Sequence, residues 1–207
     1  VKVVHFGHAC VLLDTGTTRI LIDPGTFSAG FEDLTDLDAV LITHQHFDHI
    51  DAERLPALLA ANPQAQFIVD EGTAPTVENA TVARPGDTFK IGDQSVRVAG
   101  GQHAVIHADI PTIPNAAYVI GDGAFYHPGD SLVVPDEDVD VLGLPAGAPW
   151  LKTGEAVDFL RAVKPRVAVP IHEKTLASPQ MAVRFFDMLK PDGTDVRLLT
   201  PGEETAV

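Results

Sequence analysis

The apolar run Ala39-Val40-Leu41-Ile42 leads directly into Thr43-His44-Gln45-His46-Phe47-Asp48-His49, which places four potential metal ligands within six residues. A buried strand that ends in such a cluster has to deliver it to an edge where an ion can sit, and no other stretch constrains the fold as strongly. Residues two apart in an extended segment point the same way, so His44 and His46 can converge on one ion. The turn that follows lets Asp48 and His49 face a second, a geometry that suits a binuclear centre.

More His and Asp residues follow other predicted strands, each beside Gly or Pro: Gly100-Gly101-Gln102-His103, His127-Pro128-Gly129-Asp130-Ser131 and Pro170-Ile171-His172. The site is therefore expected along one edge of the sheets. Cys10 is the only cysteine, so the chain can form neither an internal disulfide nor a thiolate zinc cluster. Any metal must be held by His and carboxylate. Cys10 itself, between Ala9 and Val11 with no activating base beside it, reads as a small buried apolar residue rather than a nucleophile.

Strands are expected over Val1–His5, Cys10–Asp14, Arg19–Asp23 and Asp38–Thr43, with Asp14-Thr15-Gly16-Thr17 as a hairpin turn. A helix should follow the His cluster, with Asp51 near its start, Leu55, Leu58 and Leu59 on one buried face, and Asn62-Pro63 at its end. Shorter strands are expected near Gln66–Asp70, Thr81–Arg84, Ser95–Gly100, Ala117–Ile120, Ala124–His127 and Val139–Leu144, which implies two sheets. Thr153 can cap a helix with the stripe Ala156, Phe159, Leu160, Val163, stopped by Lys164-Pro165. Strand Arg166–Pro170 then delivers His172. A last helix over Pro179–Leu189 is expected to bury Met181, Phe185, Met188 and Leu189, ahead of a short strand Val196–Leu199.

With 207 residues and 45% hydrophobic composition the chain can bury a substantial core, and a single domain over 1–207 is expected. The net charge of −15, with no Lys/Arg cluster, argues against nucleic acid as a partner. No apolar run is long enough to cross a bilayer and Val1-Lys2 reads as the start of a strand, so no membrane association and a cytoplasmic location are expected. Oligomeric state leaves no trace in the sequence.

In order and type, these ligands resemble the metallo-β-lactamase fold superfamily, whose pattern is an H-x-H-x-D-H cluster, a distant His, a bridging Asp and a final His. The resemblance runs over nearly the whole chain. His5-Phe6-Gly7-His8-Ala9-Cys10 and Ile20-Leu21-Ile22-Asp23-Pro24-Gly25 look like the opening strands of its lactonase-like group, which includes ascorbate-phosphate lactonase. It implies a four-layer αββα sandwich. It further implies that His44, His46 and His103 hold one metal, that Asp48, His49 and His172 hold a second, and that Asp130 bridges them. Asp130 stands where the best-known zinc β-lactamases carry Cys, and His49 is a ligand those enzymes lack, so antibiotic hydrolysis is not expected.

The implied chemistry is hydrolysis of a small ester, lactone or phosphodiester by a metal-bridging hydroxide, with Asp48 also able to orient the attacking group. Zinc is the default for such ligands, with manganese and iron acceptable. Asp23, ending a strand, is a candidate acceptor for the far nitrogen of a ligand imidazole. A non-haem iron oxygenase acting on thiols or persulfides, using a subset of the histidines, is the second reading. A non-catalytic, metal-stapled domain ranks last. His8 could face substrate or be a hydrogen-bonded structural residue. His107, in the Pro-bounded segment 104–114, could cover the site but reads better as a solvated loop residue. Trp150 could line the pocket, with core packing the stronger reading, and Lys152 could attract an anionic substrate. His5 and His127 read as structural.

Overall fold

In a computed structural model that describes all 207 residues, strands β1 (Lys2–His5), β2 (Val11–Asp14), β3 (Arg19–Ile22) and β4 (Ala39–Ile42) are followed by helix α1 (Leu55–Ala61), β5 (Gln66–Asp70) and β6 (Thr81–Ala83). The second half holds β7 (Thr88–Ile91), β8 (Gln94–Gln102), β9 (Pro114–Ile120), β10 (Phe125–His127), β11 (Val141–Pro145), α2 (Thr153–Val163), β12 (Val167–Ile171), α3 (Pro179–Leu189), β13 (Asp195–Val196) and β14 (Glu204–Ala206). They form two seven-stranded sheets, ordered β14-β1-β2-β3-β4-β5-β6 and β13-β12-β11-β10-β9-β8-β7. Each sheet is antiparallel through its early strands and becomes parallel later, from β3 in the first and from β10 in the second.

Period-two alternation sorts the apolar residues into three cores. Val11, Leu13, Ile20, Ile22 and Leu41 point between the sheets and meet Val96, Val98, Tyr118, Ile120 and Val169. Their neighbours Leu12, Leu21, Val40 and Ile42 face the other way and pack with Leu55 and Leu58 of α1. In the second sheet Ala117, Val119, Leu142 and Ala168 turn outward to Phe159 and Leu160 of α2 and Phe186 of α3. Burial on both faces explains why the strands read as unbroken apolar runs, and the layers are those of the αββα sandwich.

Three expectations need correction. Helix α3 buries Ala182 and Phe186, whereas Met181, Phe185 and Met188 are exposed. The helix is apolar on two faces, so spacing alone could not choose; the narrower Ala182–Phe186 ridge lies against α2 and the outer face of the second sheet. Replacing Met181 and Met188 together by Gln is expected to move the melting temperature by less than about 4 °C in a thermal unfolding scan, because exposed sites contribute little. Thr153 is the first residue of α2 rather than its cap: the Glu155 carboxylate accepts from the Lys152 backbone N–H at 2.8 Å. The strand expected over Val196–Leu199 is limited to Asp195–Val196, and β7 and β14 were not anticipated.

Candidate metal centre

All four ligand-bearing segments leave their strands at carboxyl ends. His44 lies two residues beyond β4, His103 and His172 directly follow β8 and β12, and Asp130 lies three beyond β10. Two hydrogen bonds to backbone carbonyls fix this edge. The Thr43 carbonyl accepts from Ala116 N–H at 2.7 Å, and the Tyr118 hydroxyl donates to the Ile42 carbonyl at 2.8 Å, locking the first sheet to the second. At Gly25 a Cβ would stand 1.9 Å from the Asp48 carbonyl oxygen, so only glycine lets the 23–25 turn lie against the ligand loop.

The side chains gather as two groups whose ligand atoms lie within 4.8 Å of one another: His44, His46, His103 and Asp130, and His8, Asp48, His49 and His172. Asp130 spans both. Its Oδ1 stands 3.2 Å from His49 Nε2 and 3.2 Å from His172 Nε2, while its Oδ2 stands 3.3 Å from His103 Nε2 and 4.0 Å from His44 Nε2. In the first group His44 Nε2 and His46 Nδ1 are 3.0 Å apart. Donors arranged tetrahedrally at zinc distances stand about 3.3 Å from one another, close to these spacings.

Hydrogen bonds at the far side of each ring set which nitrogen faces the centre. His49 Nδ1–H donates to Asp23 Oδ2 at 2.7 Å, His172 Nδ1–H to the Gly147 carbonyl at 2.6 Å, and His103 Nδ1–H to the Ala104 carbonyl at 2.5 Å. Each therefore turns a lone-paired Nε2 inward. The Thr43 hydroxyl donates to Asp23 Oδ2 at 2.7 Å and so can accept from His44 Nδ1–H at 3.1 Å, which leaves His44 Nε2 free as well. Asp23, fully buried, also accepts from Thr43 N–H at 2.7 Å. Trp150 Nε1–H donates to Asp130 Oδ2 at 2.8 Å, and Asn115 holds the Asp130 backbone N–H at 3.0 Å.

His49 Nε2, His103 Nε2, His172 Nε2 and Asp130 Oδ1 are buried without a hydrogen-bond partner, and all four converge on the space between the groups. Orphaned buried polar atoms cost about 1–3 kcal/mol each, and a cluster of them sharing one direction fits a cation that would satisfy them. The charges agree. Burial opposes the charge on Asp130, yet the His49 charge and its imidazole neighbours hold the carboxyl well below its usual range. Burial alone would lower His49, but the Asp130 and Asp23 carboxylates raise it well above the ordinary imidazole value, and an ion bound at Nε2 would take the place of that proton. Complete burial, with His49 beside it, keeps His44 neutral and available as a ligand.

The seven residues expected to bind metal are thus brought together, and Asp23 lies behind His49 as anticipated. His8 joins them: its Nε2 donates to Asp48 Oδ2 at 3.0 Å, and its ring lies 3.9 Å from that of His172. Burial opposes the charge on Asp48, but the His8 hydrogen bond carries its pKa down to about 2. His8 and His172 both adopt left-handed backbone conformations, φ 56° and 61°, and His172 N–H donates to the His8 carbonyl at 2.9 Å. Trp150 is buried, as core packing predicts, but its N–H serves the site. His107 and Lys152 stay out of it: His107 is exposed and accepts from Asp109 N–H, and Lys152 extends to Glu155. His5 and His127 bond the His8 and Ala9 carbonyls, as expected of structural residues.

Sequence reasoning did not find Thr43, Asn115 or Glu173, whose carboxylate accepts from the His8 backbone N–H at 3.1 Å. Thr43 and Glu173 adjoin ligands, and that adjacency was the available signal. Trp150→Phe removes the donor to Asp130 while keeping most of the bulk. It is expected to weaken metal binding about 10–100-fold in a chelator-competition titration, and an unchanged affinity would show that the indole only packs.

The β-lactamase superfamily domain model matches residues 2–172, and the chain belongs to that family. Protein Rv0786c of Mycobacterium tuberculosis is 48% identical over 100% of this chain and 99% of its own length. A UPF0173 metal-dependent hydrolase of Pyrococcus abyssi is 30% identical, covering 99% of this chain and 98% of the relative. The solved structure of Igni18, a metallo hydrolase from the archaeon Ignicoccus hospitalis, superposes with a TM-score of 0.77 at 23% identity, over 99% of this chain and 97% of that one, and shares the fold. No helix is long and apolar enough to cross a membrane.

Proposed function

We propose that the protein is a metal-dependent hydrolase that binds two divalent ions and cleaves a small ester, lactone or phosphodiester. The carrying observation is Asp130, whose two carboxylate oxygens face different groups of imidazoles. On this reading His44, His46 and His103 hold one ion, Asp48, His49 and His172 the other, and Asp130 both. Zinc suits this donor set, with manganese and iron next. Metal-dependent hydrolase relatives aligned over nearly their whole length support the reaction class.

Two bound divalent ions supply an acidified water and an electrophile for the scissile oxygen. The chain's own residues position the reactants. Asp48 and His46 are the incompletely buried members of the set, so water and substrate enter beside them. Asp48, ionised at neutral pH and held by His8 Nε2–H at 3.0 Å, can accept a hydrogen bond from the attacking water and fix its direction. Asp23 and the Gly147 and Ala104 carbonyls hold three imidazoles in the tautomer that turns Nε2 toward the centre.

A panel of esters, lactones, thioesters and phosphodiesters tests this with protein reloaded with zinc or manganese. Turnover of at least one class, lost on chelation and restored by metal, is expected. Oxygen consumption on a thiol by protein carrying one iron, with no hydrolysis, would instead establish the oxygenase reading, which uses only a subset of these ligands.

A further inference from the structure

Large apolar side chains at the protein surface gather around the mouth of the metal centre. Eleven are exposed in the whole chain, and five of them, Phe27, Phe47, Val105, Ile106 and Ile110, lie on the three loops that follow β3, β4 and β8 and border the ligands. Phe47 and Val105 leave 62% and 64% of their surface to solvent, an unfavourable state that isolated residues tolerate but a shared rim rarely shows without a ligand to cover it.

The loop after β8 adjoins the first group of ligands and the loops after β3 and β4 adjoin the second. Beside the first group, a recess is lined by His46 and His103 together with Val105, Ile106, Ile110 and Ile113, and no Lys, Arg, Asp or Glu reaches it. Its loop is tied to the centre by backbone bonds: Ala104 N–H donates to the Asp130 carbonyl at 2.7 Å and His103 N–H to the Ile113 carbonyl at 3.0 Å. A third bond, Ile110 N–H to the His107 carbonyl at 3.0 Å, closes the tip. The apolar wall is therefore fixed relative to His103. Separately, the Phe27 ring meets Phe47 edge-on at 5.5 Å and His8 at 5.1 Å, so an aromatic pair abuts the second group of ligands.

We infer that the substrate carries an aliphatic chain attached next to its scissile group, and that this chain lies on Val105, Ile106 and Ile110. This rests on the hydrolase reading and narrows it to acyl substrates with an apolar tail. His46 and His103 form part of the recess wall, so a chain lying there is beside the first group of ligands. The lack of a charged lining residue disfavours a phosphate or sugar-phosphate extension on that side.

The test uses binding rather than turnover. Straight-chain alkyl hydroxamates from two to eight carbons, whose head groups chelate metal, are titrated by calorimetry into the zinc-loaded protein. Burial of a methylene is worth about fourfold in affinity when complete, so the dissociation constant is expected to fall about twofold to fourfold per added carbon. In the Val105→Ser/Ile110→Ser double variant, whose changes are at exposed loop positions, the slope is expected to flatten to less than about 1.5-fold per carbon. Acetohydroxamate binding with no dependence on chain length would overturn the inference and leave the metal-dependent hydrolase intact. A slope that survives in the double variant would also overturn it, since the chain would then lie elsewhere. Failure of every hydroxamate to bind zinc-loaded protein would remove the metal reading and the inference with it.

Discussion

Asp130→Ala is expected to lower kcat/KM for any hydrolysed substrate by about 10³-fold or more while the far-UV circular dichroism spectrum stays that of the wild type. The loss is large because one carboxylate serves both groups: Oδ1 faces His49 and His172, and Oδ2 faces His103 and His44. Without it the imidazoles lose their shared counter-charge, and metal binding falls together with the alignment of the reactants. The fold should survive, because the contacts that Asp130 makes for the scaffold are through its backbone, to Asn115 and Ala104. The local cost is one unsatisfied indole N–H at Trp150, about 1–3 kcal/mol. Asp130→Asn, which keeps shape and hydrogen bonding but not charge, should fall between the two. Wild-type turnover by metal-loaded Asp130→Ala would contradict the bridging role.

Metal removal is the second large effect. Chelation returns four buried, partnerless atoms to the interior, at His49, His103, His172 and Asp130. Free metal at about 1,000 times its dissociation constant stabilises the native state by about 4 kcal/mol per site. For a chain of this length each kcal/mol moves the melting temperature by about 2–4 °C, so apo protein is expected to melt roughly 8–16 °C lower, more if both ions leave. Scanning calorimetry before and after dialysis against chelator, and again after reloading, measures it. A melting temperature unmoved by verified metal loss would mean that the cluster contributes nothing to the native state.

The ligand set was readable because its chemistry is local: four ligand types in six residues, and lone His or Asp residues beside Gly or Pro at strand ends, are visible without knowing what packs on what. The support around it was not. Trp150 meets Asp130 across 20 residues, and His8 meets Asp48 across 40. Neither pair has a spacing that periodicity could detect; for Trp150 core packing was the stronger reading, and for His8 a hydrogen-bonded structural role was as good as one facing substrate. Asp23 was legible because it ends an aliphatic run, although its partners Thr43 and His49 were not.

The sheets show the same division. β2 through β5 are buried on both faces and announce themselves as apolar runs. Strands β7, Thr88–Ile91, and β14, Glu204–Ala206, are edges with half or more of their residues exposed, and their pairing with β8 and β1 depends on backbone register rather than composition. On α3 two apolar stripes compete, and only contact with α2 and the second sheet decides that Phe186, not Phe185, goes inside.

Metal content per chain tests the central claim most directly. Protein purified without chelator, then reloaded and freed of excess ion, is expected to carry about two equivalents of zinc or manganese by elemental mass spectrometry, reduced to about one or fewer in Asp130→Ala. No retained metal after reloading, or the same content in the variant, would contradict a binuclear centre built on Asp130.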